Sequence, residues 1–91
     1  MKARLLRIEG RVQGVGYRDW LLGEATSAGL SGWVRNRADG SVEALLAGEE
    51  AAVGAVLLAA RRGPPAARVE RIDESFADCP EEPGFGRRPT L

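Results

Sequence analysis

Apolar residues along this chain recur first with a period of two and then with a period of three to four. The switches mark out strand, helix, strand, strand, helix and strand, with a short further strand near the end. Residues 3–9 mix apolar and charged positions with Leu6 and Ile8 on one face, which suits a half-buried strand. After a glycine-punctuated stretch, Tyr17, Leu21, Ala25 and Ala28 return at helical spacing. Asp19 lies near the positive end of that helix dipole and Gly29 stands where a left-handed cap belongs, so a helix is predicted over 17–28. Residues 30–37 carry Trp33 and Val34 and read as the second strand. Residues 41–47 read as the third, with Val42, Ala44 and Leu46 on one face and Glu43 on the other. Asp39-Gly40 between them is a hairpin signal, so these strands should pair antiparallel.

Gly48-Glu49-Glu50 opens the clearest helix, with Val53, Val56, Leu57 and Ala60 as its apolar stripe and Gly63-Pro64-Pro65 as its stop. Its acidic start and basic end, Arg61 and Arg62, complement the macrodipole and receive no function. Residues 67–76 form the fourth strand, and Val69 and Ile72, out of strict alternation, point to a bulge in it. Residues 78–84 are a loop by their prolines and acids. Residues 85–88 form a short closing edge strand, with Gly86 weakening its pairing.

This order predicts an α+β fold of the split βαβ, ferredoxin-like kind, an α/β sandwich with both helices on one face of a mostly antiparallel sheet. A length of 91 residues suits a single domain over 1–91. In that topology the first and second strands run the same way with the third between them. The end of the second strand therefore shares a rim with the loop after the first, which places Asn36 beside residues 10–18.

Composition narrows the chemistry. The chain is 44% hydrophobic without a long apolar run, and charges interrupt its first residues, so neither a membrane span nor a signal-peptide core is expected and a cytoplasmic protein is the default. Thirteen basic residues balance 13 acidic ones, which argues against nucleic acid as a partner and for a small, locally held anion. With one cysteine, Cys79, and no histidine, neither a disulfide nor a protein-built metal site is expected, and the commonest general base is missing. Catalysis would have to work by positioning and charge stabilisation.

The stretch Gly10-Arg11-Val12-Gln13-Gly14-Val15-Gly16-Tyr17-Arg18 is suited to that work. Its glycines allow sharp turns that expose N–H groups, a helix N-terminus adds free donors and a positive dipole end, and Arg18 offers a planar guanidinium. On glycine spacing alone, a plain turn with a solvent-facing Arg18 is the better account. Asn36 is an uncharged donor and acceptor that could orient a water beside a bound phosphate, and it is equally a strand-end residue.

The pair of stretches Gly-Arg-Val-Gln-Gly-Val-Gly-Tyr-Arg at 10–18 and Gly-Trp-Val-Arg-Asn-Arg-Ala-Asp-Gly-Ser-Val at 32–42 resembles the paired signatures of the acylphosphatase family, and nearly the whole chain fits that family's size and element order. The resemblance implies a ferredoxin-like hydrolase of the carboxyl–phosphate bond of acyl phosphates, working without metal or organic cofactor and releasing inorganic phosphate. By the same resemblance Arg18 is the phosphate-binding catalytic arginine, Asn36 positions the attacking water, and the backbone of Gln13, Gly14, Val15, Gly16, Tyr17 and Arg18 forms the phosphate cradle. A monomer acting on a small molecule is expected. Tyr17 stands where the family often has Phe, and its hydroxyl is expected at the pocket rim. Two rivals remain: a non-catalytic module binding RNA or a regulatory ligand, and a hydrolytic domain of a larger enzyme. The first and third strands contain no aromatic residue, which weighs against RNA.

Overall fold

The computed structural model describes residues 3–91. β1 (Ala3–Arg11) carries Leu6 and Ile8 into the core, both fully buried. It runs two residues past its predicted end at Glu9 because it pairs with β4 (Arg68–Ala77) as far as Arg11 opposite Arg68. Glu9 faces Arg71 while Gly10 faces Val69, so Glu70 is the extra residue of a bulge, where Val69 and Ile72 predicted one. Gly10 has φ 127°, and a Cβ there would run into the Arg68 carbonyl; a side chain would break this pairing just before the chain leaves the sheet.

α1 (Tyr17–Ser27) buries Tyr17, Leu21 and Ala25, three of the four predicted stripe residues. It stops one residue earlier than expected because Ala28 serves as its cap. Gly29, at φ 74°, donates to the Thr26 carbonyl at 3.0 Å and Leu30 donates to that of Ala25 at 3.0 Å, a Schellman closure that satisfies otherwise orphaned carbonyls.

β2 (Ser31–Asn36) and β3 (Val42–Ala47) form the predicted antiparallel hairpin, and β3 also pairs antiparallel with β1. α2 (Glu50–Arg62) buries Val53, Val56 and Ala60, while Leu57 is covered in part. Both helices contribute to one cluster with Leu6, Ile8, Val34, Val42, Ala44 and Leu46, so they cover the same face of the sheet. Each large aliphatic side chain sealed there contributes about 1.5–3 kcal/mol of burial. β5 (Phe85–Arg87) runs parallel to β2, with Phe85 opposite Gly32 and Arg87 opposite Val34, and completes a five-stranded sheet of order β4-β1-β3-β2-β5. Gly86 does not prevent that pairing, because bonds from Gly32 N–H to the Gly84 carbonyl and from Arg88 N–H to the Val34 carbonyl, 3.0 and 2.9 Å, flank it on either side. The architecture is the expected ferredoxin-like one. Among the described residues no helix is long and apolar enough to cross a membrane.

Tyr17 corrects one expectation. Its hydroxyl lies in the core, not at a pocket rim, and donates to the Ala60 carbonyl at 2.7 Å. The reason is local. That carbonyl belongs to the last turn of α2, and the residue four further on is Pro64, which has no N–H to give. The phenol supplies the missing donor, and burial pushes its pKa upward. Tyr17→Phe should therefore lower unfolding stability by about 1–3 kcal/mol, since it strands a buried acceptor. Urea denaturation of the two proteins checks this, and equal midpoints would contradict it.

Candidate active site

The chain leaves β1 through residues 12–16 and turns into α1. Val12 anchors this loop, with only 1% of its surface exposed. Gly14 and Gly16 have φ of 74° and 79°, and a Cβ on either would meet nothing within 4 Å, so what they supply is left-handed backbone, not space. Gly16 is the N-cap residue of α1, and no side chain caps the helix there. The free N–H groups of the first turn and the positive dipole end are thus left for an anion.

This loop walls a cavity of about 200 Å³, lined by Val12, Gln13, Gly14, Gly16, Tyr17, Arg18, Asp19 and Asn36. The structure thereby brings together Arg18, at the start of α1, and Asn36, at the end of β2. Of the predicted cradle residues only Val15 is not in the lining; it packs in part against the core. Hollows of about 510 and 580 Å³ lie elsewhere, one against α2 and Phe76, the other along residues 80–88. Neither contains the glycine loop, and a phosphate-sized ligand is better matched to the small cavity, where donors converge.

Arg18 is half-buried and has no ion-pair or hydrogen-bond partner among the described residues. The cations of β2 and its hairpin differ in this respect. Arg35 Nη2 and Arg37 Nη1 lie 2.7 and 3.2 Å from the two Glu43 carboxylate oxygens, so each has a carboxylate partner, shared between them. Asn36 Oδ1 is buried and accepts no hydrogen bond among the described residues. Leaving a buried acceptor unmade costs about 1–3 kcal/mol, which favours a water or ligand O–H that donates to it. A half-buried free guanidinium, an uncapped helix start and a needy amide oxygen can together hold an anion and one water against it.

Three sets of contacts in or beside the cavity were not found by sequence reasoning. Gln13, expected in the cradle through its backbone, uses its side chain elsewhere: Nε2 donates to the carbonyls of Arg37 and Ser41, each at 2.8 Å. Asp19, read only as a dipole partner, lines the cavity and accepts from Arg87 Nη1 at 2.7 Å, which offsets a carboxylate next to an anion site. Leu91 N–H donates to the Asn36 carbonyl at 3.1 Å and its own carbonyl accepts from Ala38 N–H at 2.8 Å, so residues 88–91 continue alongside the end of β2. Nothing local in the sequence signals any of these, because each joins elements far apart in the chain. Among the described residues, no group of three or more His, Cys, Asp and Glu side chains is arranged to hold a metal.

The acylphosphatase family model matches residues 5–86 of the chain. The acylphosphatase of Rhodospirillum rubrum is 55% identical over 91 residues, covering the whole of both chains, and that of Acidiphilium cryptum is 57% identical over 90 residues, 99% of each. The crystal structure of acylphosphatase from Bacillus subtilis superposes with a TM-score of 0.90 at 36% identity, over 97% of this chain and 99% of the other.

The hairpin that carries Asn36 is closed by Asp39, whose Oδ1 accepts from the Ser41 hydroxyl at 2.6 Å and its N–H at 2.9 Å. These bonds, the hydroxyl's first, and the nearby Arg7 and Arg37 guanidiniums hold the Asp39 carboxyl below its ordinary 3.8. A folded-state pKa below the unfolded one stabilises the fold above the unfolded value and stops doing so as pH falls through the folded value. Urea unfolding of wild type and Asp39→Asn from acid to neutral pH should show a wild-type advantage that grows as pH rises through the carboxylate range and then levels. An advantage independent of pH would contradict the assignment.

Proposed function

The chain belongs to the acylphosphatase family and is a hydrolase of acyl phosphates, and we propose that the cavity between residues 12–19 and Asn36 is where it cleaves them. In this reading the phosphoryl oxygens accept from N–H groups of Gln13, Gly14, Val15, Gly16, Tyr17 and Arg18 and from the Arg18 guanidinium. A water donates one O–H to Asn36 Oδ1, and its oxygen attacks phosphorus in line with the carboxylate. As the new P–O bond forms, the bond from phosphorus to the carboxylate oxygen breaks and the carboxylate leaves with the electron pair. The water's proton passes to a phosphoryl oxygen of the product.

Such a transition state is loose and its charge sits on the phosphoryl oxygens, so positioning and fixed donors provide the acceleration. The observation that carries this reading is the convergence of Asn36, whose Oδ1 accepts no hydrogen bond among the described residues, and of Arg18, for which the described residues supply no ion-pair partner, on one small cavity at an uncapped helix start. Further readings belong to the same proposal: a cytoplasmic monomer that takes small acyl phosphates, needs no metal or organic cofactor, and has no nucleic-acid partner. The balance of 13 basic and 13 acidic residues supports the last of these.

Hydrolysis of a simple acyl phosphate with a chelator present, beside a phosphate monoester, tests the reaction. Only the acyl phosphate should turn over. Arg18→Ala should reduce the rate by about a hundredfold or more, the usual loss for one oxyanion donor, and should weaken competitive inhibition by inorganic phosphate. Asn36→Ala should lower kcat and leave phosphate inhibition close to wild type. Loss of phosphate inhibition in Asn36→Ala would overturn the division of roles. The rate should follow substrate ionisation alone across neutral pH, as no group of the site is of a type that titrates there; a bell with two enzyme pKa values would contradict the proton path.

A further inference from the structure

We propose that the side chain of Gln13 is a positioning residue that sets the spacing between the phosphate cradle and the water held by Asn36; the proposal rests on the reading of the site given above. The cradle loop has little else to locate it. Its two left-handed glycines carry no side chain, Val15 is only half-covered, and Val12 fixes just the point where the loop leaves β1. Gln13, between Val12 and Gly14, is the loop residue whose side chain crosses to the β2–β3 hairpin. Both of its amide N–H donors are used there, on the carbonyl of Arg37, which directly follows Asn36, and on that of Ser41, each at 2.8 Å. The amide orientation is dictated by its partners. Two carbonyl acceptors require the NH₂ group, and an Oε1 turned toward them would repel both.

The hairpin closes without this help. Arg37 N–H donates to the Ser41 carbonyl at 2.9 Å and Gly40 N–H donates to the Arg37 carbonyl at 3.1 Å, so each carbonyl already has one partner. Gln13 takes the second lone pair of each. Its bonds are therefore additional to those that shape the turn, and what they add is a direct side-chain link between the cradle loop and the hairpin. Removing the link should leave hairpin and fold in place and let the cradle drift relative to Asn36. A misplacement of 1 Å between reacting groups is enough to cost about a hundredfold in rate. Phosphate affinity depends on Arg18 and the loop's own N–H groups, which move with the cradle, and should change little.

Gln13→Met keeps the length of the side chain and removes both donors. It should lower kcat by about tenfold to a hundredfold, leave the Kd of inorganic phosphate close to wild type and keep a folded spectrum. In the Asn36→Ala background, where no water is left to place, the same change should cost less than about twofold. A general loss of structure would not depend on the background in this way. Equal losses in the two backgrounds would overturn the proposal and leave the reaction standing. A folded wild-type chain that does not hydrolyse acyl phosphate at all would overturn both. If Gln13→Met does not fold, the wild type still decides: the Gln13 Nε2 protons should exchange with solvent much more slowly than those of an exposed glutamine, and exchange at the exposed rate would overturn the proposal.

Discussion

Val42, the first residue of β3, lies opposite Ile8 of β1 and opposite Asn36 of β2 at once. The whole site depends on this double pairing. It puts the exit of β1 and the end of β2 on one rim, two strand spacings or roughly 10 Å apart, so that the loop growing out of one can close over the side chain of the other. Neither Arg18 nor Asn36 has chemistry of note alone. The register of one buried central strand, with Val42, Ala44 and Leu46 wholly enclosed, makes them neighbours. A slip of one residue there would turn those apolar side chains away from the helices and bring Glu43 into the core, so the burial that stabilises the fold also protects the geometry of the site.

The helix that carries Arg18 is held by different means. Its first residue, Tyr17, is sunk into the core, and its hydroxyl closes the C-terminal turn of α2, where a proline has removed the ordinary donor. The start of α1 is thus anchored by the same residue that opens it, immediately before the arginine. Next to that anchor the backbone is left-handed at Gly14 and Gly16, and no side chain caps the helix. Rigid support on one side and unsatisfied donors on the other are what an anion site needs, because fixed dipoles then need no rearrangement when charge develops.

Much of this was legible in the residues. Period-two and helical stripes located the strands and helices to within one or two positions. Gly29 and Gly63 marked where the helices stop, the broken alternation at Val69 and Ile72 located a bulge, and the element order implied the topology that brings Asn36 to the glycine loop. Each of those features is local or follows from connection rules. The side-chain partnerships were not legible, because nothing periodic encodes them. The Tyr17 hydroxyl finds a carbonyl 43 residues away, the Gln13 amide spans 24 and 28 residues, and Arg87 reaches Asp19 across 68. The direction of the Tyr17 hydroxyl was misjudged for that reason. A tyrosine beside a ligand loop suggests a rim contact until the position of Pro64 shows that the core has the greater need.

The central claim is that a water held at Asn36 attacks phosphorus and the carboxylate departs intact. Turnover of an acyl phosphate in water labelled with heavy oxygen, followed by mass analysis of both products, tests it most directly. The account predicts one labelled oxygen in the inorganic phosphate and none in the carboxylate. Label in the carboxylate would mean that the acyl carbon is attacked, and the roles given to the cradle and to Asn36 would be wrong.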